Sequence, residues 1–234
     1  MAKNYFLLIS YFHWALIGLS QPVQNSYGSA SFGSAQDGSL TVNRKYFDKA
    51  YIDNPGIPRG LLEAVAQTKT HLRHIDPSSE PTSCTDLPPY YGIMGLINDG
   101  KGYFKNTLSA VAQYSGISPD SILQNPANSI SAYSAAFSQI KHELKISSAK
   151  IEDMIPVLRY LSELPNASVG QQYAQDAELY SILVLLNDGN FMSKMGRKAL
   201  PVNLGKIFGN NNLKILSGKK VTLSAYSGVV KNQN

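Results

Sequence analysis

Apolar residues recur at helical spacing in five segments of the chain, and this periodicity constrains the fold more than any other sequence feature. Side chains three or four positions apart lie on one face of an α-helix, so each segment predicts a helix with one buried side. The predicted helical segments are 58–74, 103–115, 128–144, 151–164 and 173–187. A further short helix is predicted at 119–124, with Ser118 as its N-cap residue. The sequence therefore predicts a mainly α fold.

The two ends of the chain differ in character from this helical region. Residues 21–39 are rich in Gly and Ser, which is typical of a linker. Residues 217–234 alternate apolar and polar side chains, as strands do, and give no helical signal. We expect a helical domain over residues 40–216 and a short β-like tail, which is either a small hairpin or a linker to a further domain.

The first twenty residues have the three parts of a secretory signal peptide. Lys3 supplies a positive charge, residues 5–19 are almost wholly apolar, and Gly18 and Ser20 place small residues before a cleavage site. The apolar run is short for a membrane span, although an uncleaved anchor is the alternative. We therefore expect an exported protein, periplasmic or extracellular, with no stable membrane span after signal cleavage.

Charge and cysteine content exclude several classes of protein. Hydrophobic residues make up 43% of the chain and charged residues 16%, which is typical of a globular protein. Cys84 is the only cysteine, so no internal disulfide is possible. Removal of residues 1–20 leaves 20 basic and 16 acidic residues, a net charge of +4. This excess is spread without a dense basic run, so we expect no nucleic-acid binding, whereas a weak attraction to an anionic wall polymer fits.

Several short motifs between residues 57 and 137 follow one another in the order and spacing found in a known superfamily. This part of the chain resembles the lysozyme-like superfamily, in particular the lytic transglycosylase and goose-type lysozyme branch, over about a third of its length. The motifs that carry the resemblance are Ile57-Pro58, Leu61-Leu62, Ala64-Val65-Ala66, Gly92-Ile93-Met94, Gly116-Ile117, Asn125-Pro126 and Ile130. The resemblance implies a lysozyme-like helical domain.

The functional positions of that family are changed in this chain. In the family, a Glu three residues after the Ala-Val-Ala run protonates the glycosidic oxygen, which is otherwise a poor leaving group. Lys69 occupies that position here. Gly95 replaces the Gln that follows the Gly-Leu-Met motif, and Ser129, Tyr133 and Ala136 replace the Asn, Gly and Tyr of the later signature. The apolar framework is kept while five functional positions are lost.

A second resemblance points to the biological setting. The stretches AVAQTKTHL, YGIMGLINDGKGYF and LYSILVLLND are similar to the N-terminal region of exported Bacteroidota proteins described as N-acetylmuramoyl-L-alanine amidases. In those proteins a zinc amidase domain follows. The resemblance implies a peptidoglycan-associated domain that binds or positions glycan strands for a linked amidase domain, needs no cofactor and has lost glycosidase activity.

The candidate glycan-contacting residues lie around the lost acid and the Gly-Ile-Met turn. Aromatic rings stack on sugar faces, so Tyr90, Tyr103 and Phe104 could line a groove, with core packing as the equal alternative. The residues that we predict to contact substrate are Lys69, Tyr91, Met94, Tyr103 and Tyr133.

An active enzyme with a relocated acid is the alternative function. Glu80 is the first candidate, because a loop carboxyl that points into a groove could act as the acid of a muramidase or lytic transglycosylase, with Asp76 or Asp86 nearby. Glu63 lies six residues before Lys69, about 240° around the helix, so we expect it to be a solvated residue outside the groove.

A metal site is a further alternative that we do not expect. His71 and His74 would share a face of the opening helix and could bind zinc with Glu80 or Cys84. Histidines on a helix surface are the simpler interpretation, so our prediction contains no metal ligand.

Overall fold

The computed structural model describes residues 34–77, 88–99, 102–224 and 229–232. In this part of the chain, nine α-helices and one 3₁₀-helix precede a two-stranded antiparallel sheet. The helices are α1 (Ser34–Asp53), α2 (Leu61–Thr70), α3 (Thr107–Ser115), α4 (Pro119–Gln124), α5 (Pro126–Glu143), the 3₁₀-helix (Ile151–Met154), α6 (Ile155–Leu161), α7 (Val169–Asn187), α8 (Gly189–Lys194) and α9 (Leu204–Leu216). The predicted mainly α fold with a short β tail is confirmed.

Local sequence signals explain where several helices begin. The Ser118 hydroxyl accepts a hydrogen bond from the backbone of Ser121, and Pro119 occupies the first turn of α4. Ser168 and Gln171 form a capping box at the start of α7, each side chain bonding the other residue's backbone. These caps satisfy backbone N–H groups that no helical carbonyl can reach.

The core is organised around α5 and α2. Helix α5 packs against α1, α3, α4 and α6, while α2 packs against α7. Helix α2 is enclosed on nearly every side, since its apolar residues have no solvent exposure: Leu61, Leu62, Ala64, Val65 and Ala66. A helix enclosed in this way fixes the position of every side chain that it carries.

The helical domain begins earlier than the composition predicts. Helix α1 begins at Ser34, six residues before the predicted start of order at residue 40. Phe47, Ala50 and Tyr51 of this helix belong to the hydrophobic core. Helix formation is cooperative, so a segment that is anchored by packing extends into residues of poor intrinsic propensity.

The C-terminal tail forms a hairpin. Strand β1 (Val221–Ser224) pairs antiparallel with β2 (Val229–Asn232), and Val221 lies opposite Asn232. Strand β2 lies beside α7 and α9. Of the two predicted alternatives for residues 217–234, the hairpin is the one observed. None of the helices in the described ranges has the length and apolar character that a bilayer span requires.

Candidate functional site

Lys69 lies in the last turn of α2, at the position where the resemblance expects an acid. The helix ends one residue later, because His71 and Leu72 adopt left-handed backbone conformations with φ of 53° and 61°. This reversal turns the chain away from the helix axis and leaves Lys69 pointing into the protein. Only 3% of its side chain is exposed.

Two buried carboxylates surround the Lys69 ammonium. Its Nζ atom pairs with Oε2 of Glu163, which follows α6, and lies 3.2 Å from Oε1 of Glu178 on α7. The side chains of Glu163 and Glu178 are only 1% and 10% exposed. We call Lys69, Glu163, Glu178, Tyr90 and Ser162 the Lys69 cluster.

Every carboxylate oxygen in the Lys69 cluster has a partner. The Tyr90 hydroxyl donates to Oε1 of Glu163 at 2.6 Å, and the Ser162 hydroxyl donates to Oε2 of Glu178 at 2.7 Å. The other oxygen of each carboxylate faces Lys69. A buried charge is tolerated only when its hydrogen-bonding groups are satisfied in this way.

Burial and charge shift the protonation equilibria of the cluster. Burial alone would lower the pKa of Lys69, but the carboxylates of Glu163 and Glu178 outweigh it and raise this pKa well above its ordinary value. Burial, together with the charge of Glu163, raises the pKa of the Glu178 carboxyl. Burial also raises the pKa of the Tyr90 hydroxyl, so this group remains a donor.

Lys105 adds a second positive charge beside the cluster. Its Nζ atom donates to the carbonyls of Arg159 and Tyr160 at the end of α6, at 2.6 and 3.1 Å. Its ammonium also interacts electrostatically with Glu178 and Glu163, although burial lowers its pKa. The ammonium groups of Lys69 and Lys105 thus offset the charges of the two glutamates. Lys105 also places a positive charge at the C-terminus of α6, where the helix dipole favours one.

This arrangement is unsuited to acid catalysis. A general acid must reach the oxygen that it protonates and must release its proton near the working pH. Lys69 holds its proton strongly, and both carboxylates are enclosed and already hydrogen-bonded. The cluster is a closed, charge-balanced group that joins α2 to α6 and α7.

Three changed positions of the lysozyme-like motifs meet at this cluster. Gly95 has a φ of 63°, and a Cβ atom on it would lie 2.5 Å from Cβ of Lys69. The absent side chain therefore makes room for the lysine. Tyr133 of α5 is 1% exposed and close enough to Lys69 for their charges to interact, and burial raises its pKa.

The other two changed positions also lie in the core. Ser129 is fully buried on α5, and a Cβ atom on Gly92 would lie 2.6 Å from its hydroxyl oxygen. Ala136 is fully buried one helical turn beyond Tyr133. Small side chains at these places let α5 approach the Gly-Ile-Met turn closely.

The predicted glycan-contacting residues fall into two groups. Lys69, Met94 and Tyr133 are buried, so a glycan could touch them only if the packed core opened. Tyr91 is half-buried and forms a backbone bridge with Leu96, whereas Tyr103 is 59% exposed. The structure therefore brings Lys69 and Tyr133 together but leaves Tyr103 on the surface.

The structure tests the predicted histidine pair but not the predicted alternative acid. Glu80, Cys84 and Asp86 lie outside the described residues. His71 is exposed and follows the end of α2, so His71 and His74 do not share a helical face, and that expectation is wrong. His74 bonds the Leu123 carbonyl through Nε2 at 2.8 Å, and burial lowers its pKa. Within the described ranges, no three metal-ligating side chains meet.

No protein-family model, curated protein or solved structure matches this chain.

Glu63 belongs to a second buried network, so its predicted solvation is wrong. It is 2% exposed and accepts hydrogen bonds from Tyr51 at 2.5 Å and from Arg197 Nε at 2.9 Å. Arg197 Nη2 also lies 2.7 Å from Asp48. The Tyr51 oxygen accepts from the backbone of Gly60 and Leu62, which caps the start of α2. Tyr51 and Arg197 are 12 and 134 positions away from Glu63, so the sequence pattern around Glu63 did not predict these contacts.

The sequence contained a signal for the two missed acids. Glu178 lies one position before Leu179 and three after Gln175, on the side of α7 that also buries Ile182. Glu163 follows the buried Leu161 within two residues. A carboxylate placed on an apolar helical stripe indicates a buried partner, although the stripe does not identify that partner.

Proposed function

We propose that this chain is an exported lysozyme-like domain without glycosidase activity that binds or positions peptidoglycan, as the N-terminal part of an N-acetylmuramoyl-L-alanine amidase. The observation that carries the loss of catalysis is the enclosure of Lys69 between Glu163 and Glu178. The assignment to peptidoglycan rests on the resemblance of the sequence motifs.

The chemistry of glycoside cleavage supports this reasoning. Cleavage needs a carboxylic acid beside the glycosidic oxygen and an open groove on its far side. Where the family's acid would lie, the chain has a lysine with a raised pKa and only 3% exposure. Replacement of the family's catalytic acid alone would abolish cleavage but would leave the substrate groove open.

The residues around Lys69 support the proposal that this position now has a structural role. Gly95 makes room for the methylene groups of Lys69, and Tyr133 packs within reach of its charge. Glu163 and Glu178 then compensate the ammonium. Since these contacts depend on one another, the former catalytic position serves as a structural tie between α2, α6 and α7.

Glycan contact is left to the surface aromatic residues. Tyr103 is the most exposed tyrosine of the described residues, and it lies in the segment that follows the Gly-Ile-Met turn. A tyrosine ring offers an apolar face to a sugar and a hydroxyl to its polar groups. We therefore place the glycan-binding surface at Tyr103, with half-buried Tyr91 as a second candidate.

Cleavage and binding can be tested separately with the purified chain. We expect no release of muropeptides and no clearing of a peptidoglycan suspension, together with retention of the protein on insoluble peptidoglycan. Tyr103→Ala should weaken retention, whereas Ile52→Ala, which changes a 72% exposed apolar residue on α1, should not.

Two results would contradict the proposal. Release of muropeptides that is stopped by Glu80→Gln would establish the active enzyme with a relocated acid. Absence of retention on peptidoglycan, with a normally folded protein, would instead indicate an interaction domain that does not bind glycan.

A further inference from the structure

Positive charge is concentrated in the last fifth of the chain. Residues 189–234 contain eight Lys and Arg residues and no Asp or Glu, whereas residues 1–188 contain 13 basic and 16 acidic residues. The first part therefore has a net charge of −3 and the second a net charge of +8. The expectation that the positive excess is spread out is wrong, because the whole excess lies after residue 188 and the preceding part of the chain is net negative.

The lysines of this region lie on the surface of adjoining elements. Helices α8 and α9 both contact α7, and β2 contacts α7 and α9. Six lysines on or beside these elements are exposed, and we call them the basic surface: Lys194, Lys198, Lys206, Lys214, Lys219 and Lys220.

The acids nearest in sequence are engaged elsewhere. Asp176 of α7 pairs with Arg159 and accepts a hydrogen bond from Asn212. Glu178 belongs to the Lys69 cluster. Asp188 caps α8 by accepting from the backbone of Asn190 and Phe191. The carboxylates of α7 and its C-cap thus have partners of their own, and Glu152 accepts from the backbone of Asn203 at the start of α9, at 3.4 Å. The six lysines leave a positive excess on this surface.

We propose that the basic surface binds the free carboxylates of peptidoglycan stem peptides, so that the domain holds the wall by charge as well as by glycan contact. This inference rests on the proposed function and names the charged groups of the same partner. Stem peptides carry repeated carboxylates on a flexible network, and several separated lysines suit such a target better than one deep pocket does.

The charge and packing of the surface suit an anionic polymer in water better than insertion into a bilayer. All six exposed cations are lysines, while the one arginine of the region, Arg197, is engaged with Glu63 and Asp48. Lysine is a compact, hydrated point charge on a flexible stem, so separated lysines can each pair with a carboxylate of a mobile network. Leu204, Ile207 and Leu213 of α9 pack against the core, so the apolar side of this helix is not available for insertion into a bilayer.

Two charge-matched variants of the full chain test the proposal. The first carries Lys206→Gln, Lys219→Gln and Lys220→Gln on the basic surface. The control carries Lys45→Gln, Lys145→Gln and Lys150→Gln, which are exposed lysines elsewhere. Each variant loses three positive charges, and neither should alter the unfolding transition, since surface substitutions have small effects on stability.

Retention on insoluble peptidoglycan at increasing salt is the measurement. We expect the first variant to bind roughly tenfold more weakly at low salt, from a few-fold loss per exposed charge, and to show a reduced salt dependence. The control should bind like the unchanged chain. Peptidoglycan whose carboxyl groups have been amidated should no longer distinguish the first variant from the unchanged chain.

Other outcomes overturn the proposal in distinguishable ways. Unchanged retention of the first variant, or equal weakening in the control, would refute a localised carboxylate surface while leaving glycan binding intact. Preferential binding to vesicles of anionic phospholipid or to duplex DNA, lost in the first variant, would assign the surface to another macromolecule. If the unchanged chain is not retained on peptidoglycan at all, the proposed function fails together with this inference.

Discussion

Replacement of Lys69 by methionine is the most direct test of the Lys69 cluster. Methionine keeps an unbranched side chain of similar length but removes the ammonium. Glu163 and Glu178 would then be left as two buried carboxylates without their shared cation. The Tyr90 and Ser162 hydroxyls would still donate one hydrogen bond to each.

The expected loss of stability is large. Removal of one partner from a buried ion pair costs about 3–5 kcal/mol, because the remaining charge is uncompensated. The mutual repulsion of two carboxylates places Lys69→Met toward the upper end of that range. For a chain of this size, such a loss lowers Tm by roughly 10 °C or more.

The size of the loss should depend on pH. Burial already raises the pKa of the Glu178 carboxyl, and loss of the Lys69 ammonium removes an interaction that lowers this pKa, so the folded pKa of Glu178 lies above the unfolded one. The folded variant then binds more protons than the unfolded chain does, and its stability falls as pH rises above about 4.5. We expect Lys69→Met to lose less stability at pH 5 than at pH 8.

Urea unfolding followed by tyrosine fluorescence and circular dichroism at both pH values provides the assay. Lys49→Met is the matched control, because Lys49 is 72% exposed and forms only a surface ion pair with Asp53, and it should cost less than about 1 kcal/mol. Equal stability of Lys69→Met and the unchanged chain at pH 8 would refute the buried, charged cluster. An equal loss at both pH values would refute the raised pKa of Glu178.

Three further predictions concern single contacts. Tyr51→Phe should lower the free energy of unfolding by about 2–3 kcal/mol in urea titrations, because it leaves buried backbone donors of α2 without an acceptor. Gly95→Ala should cost about 3 kcal/mol, since the new methyl group meets Lys69, whereas Gly116→Ala should cost only about 1–2 kcal/mol, as nothing lies within 4 Å of that position. Glu178→Gln should flatten the fall in stability above pH 4.5, because burial raises the folded pKa of this carboxyl; an unchanged pH profile would contradict this assignment.

The sequence predicted helices α2 to α7 but missed α1, α8 and α9, and it did not predict the ion pairs. Periodicity identified the buried face of α7, including Leu179, Ile182 and Leu183, because helical spacing is a local property. The same periodicity predicted that the opening helix reaches residue 74. The helix ends at Thr70 because the next two residues, neither of them glycine, adopt the left-handed conformation. Neither residue type signals such a stop.

The charged contacts were unpredictable for a different reason. Glu63 and its partner Arg197 are separated by 134 positions, and Lys69 and Glu163 by 94. The apolar stripe around Glu178 signals that this acid is buried, but only the three-dimensional arrangement identifies the partner of each buried charge. The concentration of lysines after residue 188, in contrast, could have been read from the sequence.

The environment of α2 also decides what an acid at position 69 would do. Lys69 lies at the C-terminal end of the helix, where the helix dipole favours a cation, and Glu63 lies at the favourable N-terminal end. Lys69→Glu would place a third carboxylate beside Glu163 and Glu178 in a closed site and would reverse the favourable dipole interaction. Such a change destabilises the fold before any proton can be donated. Under the proposed function, an acid could serve at this position only after removal of Glu163 and Glu178 and opening of the space at Gly95 and Tyr133.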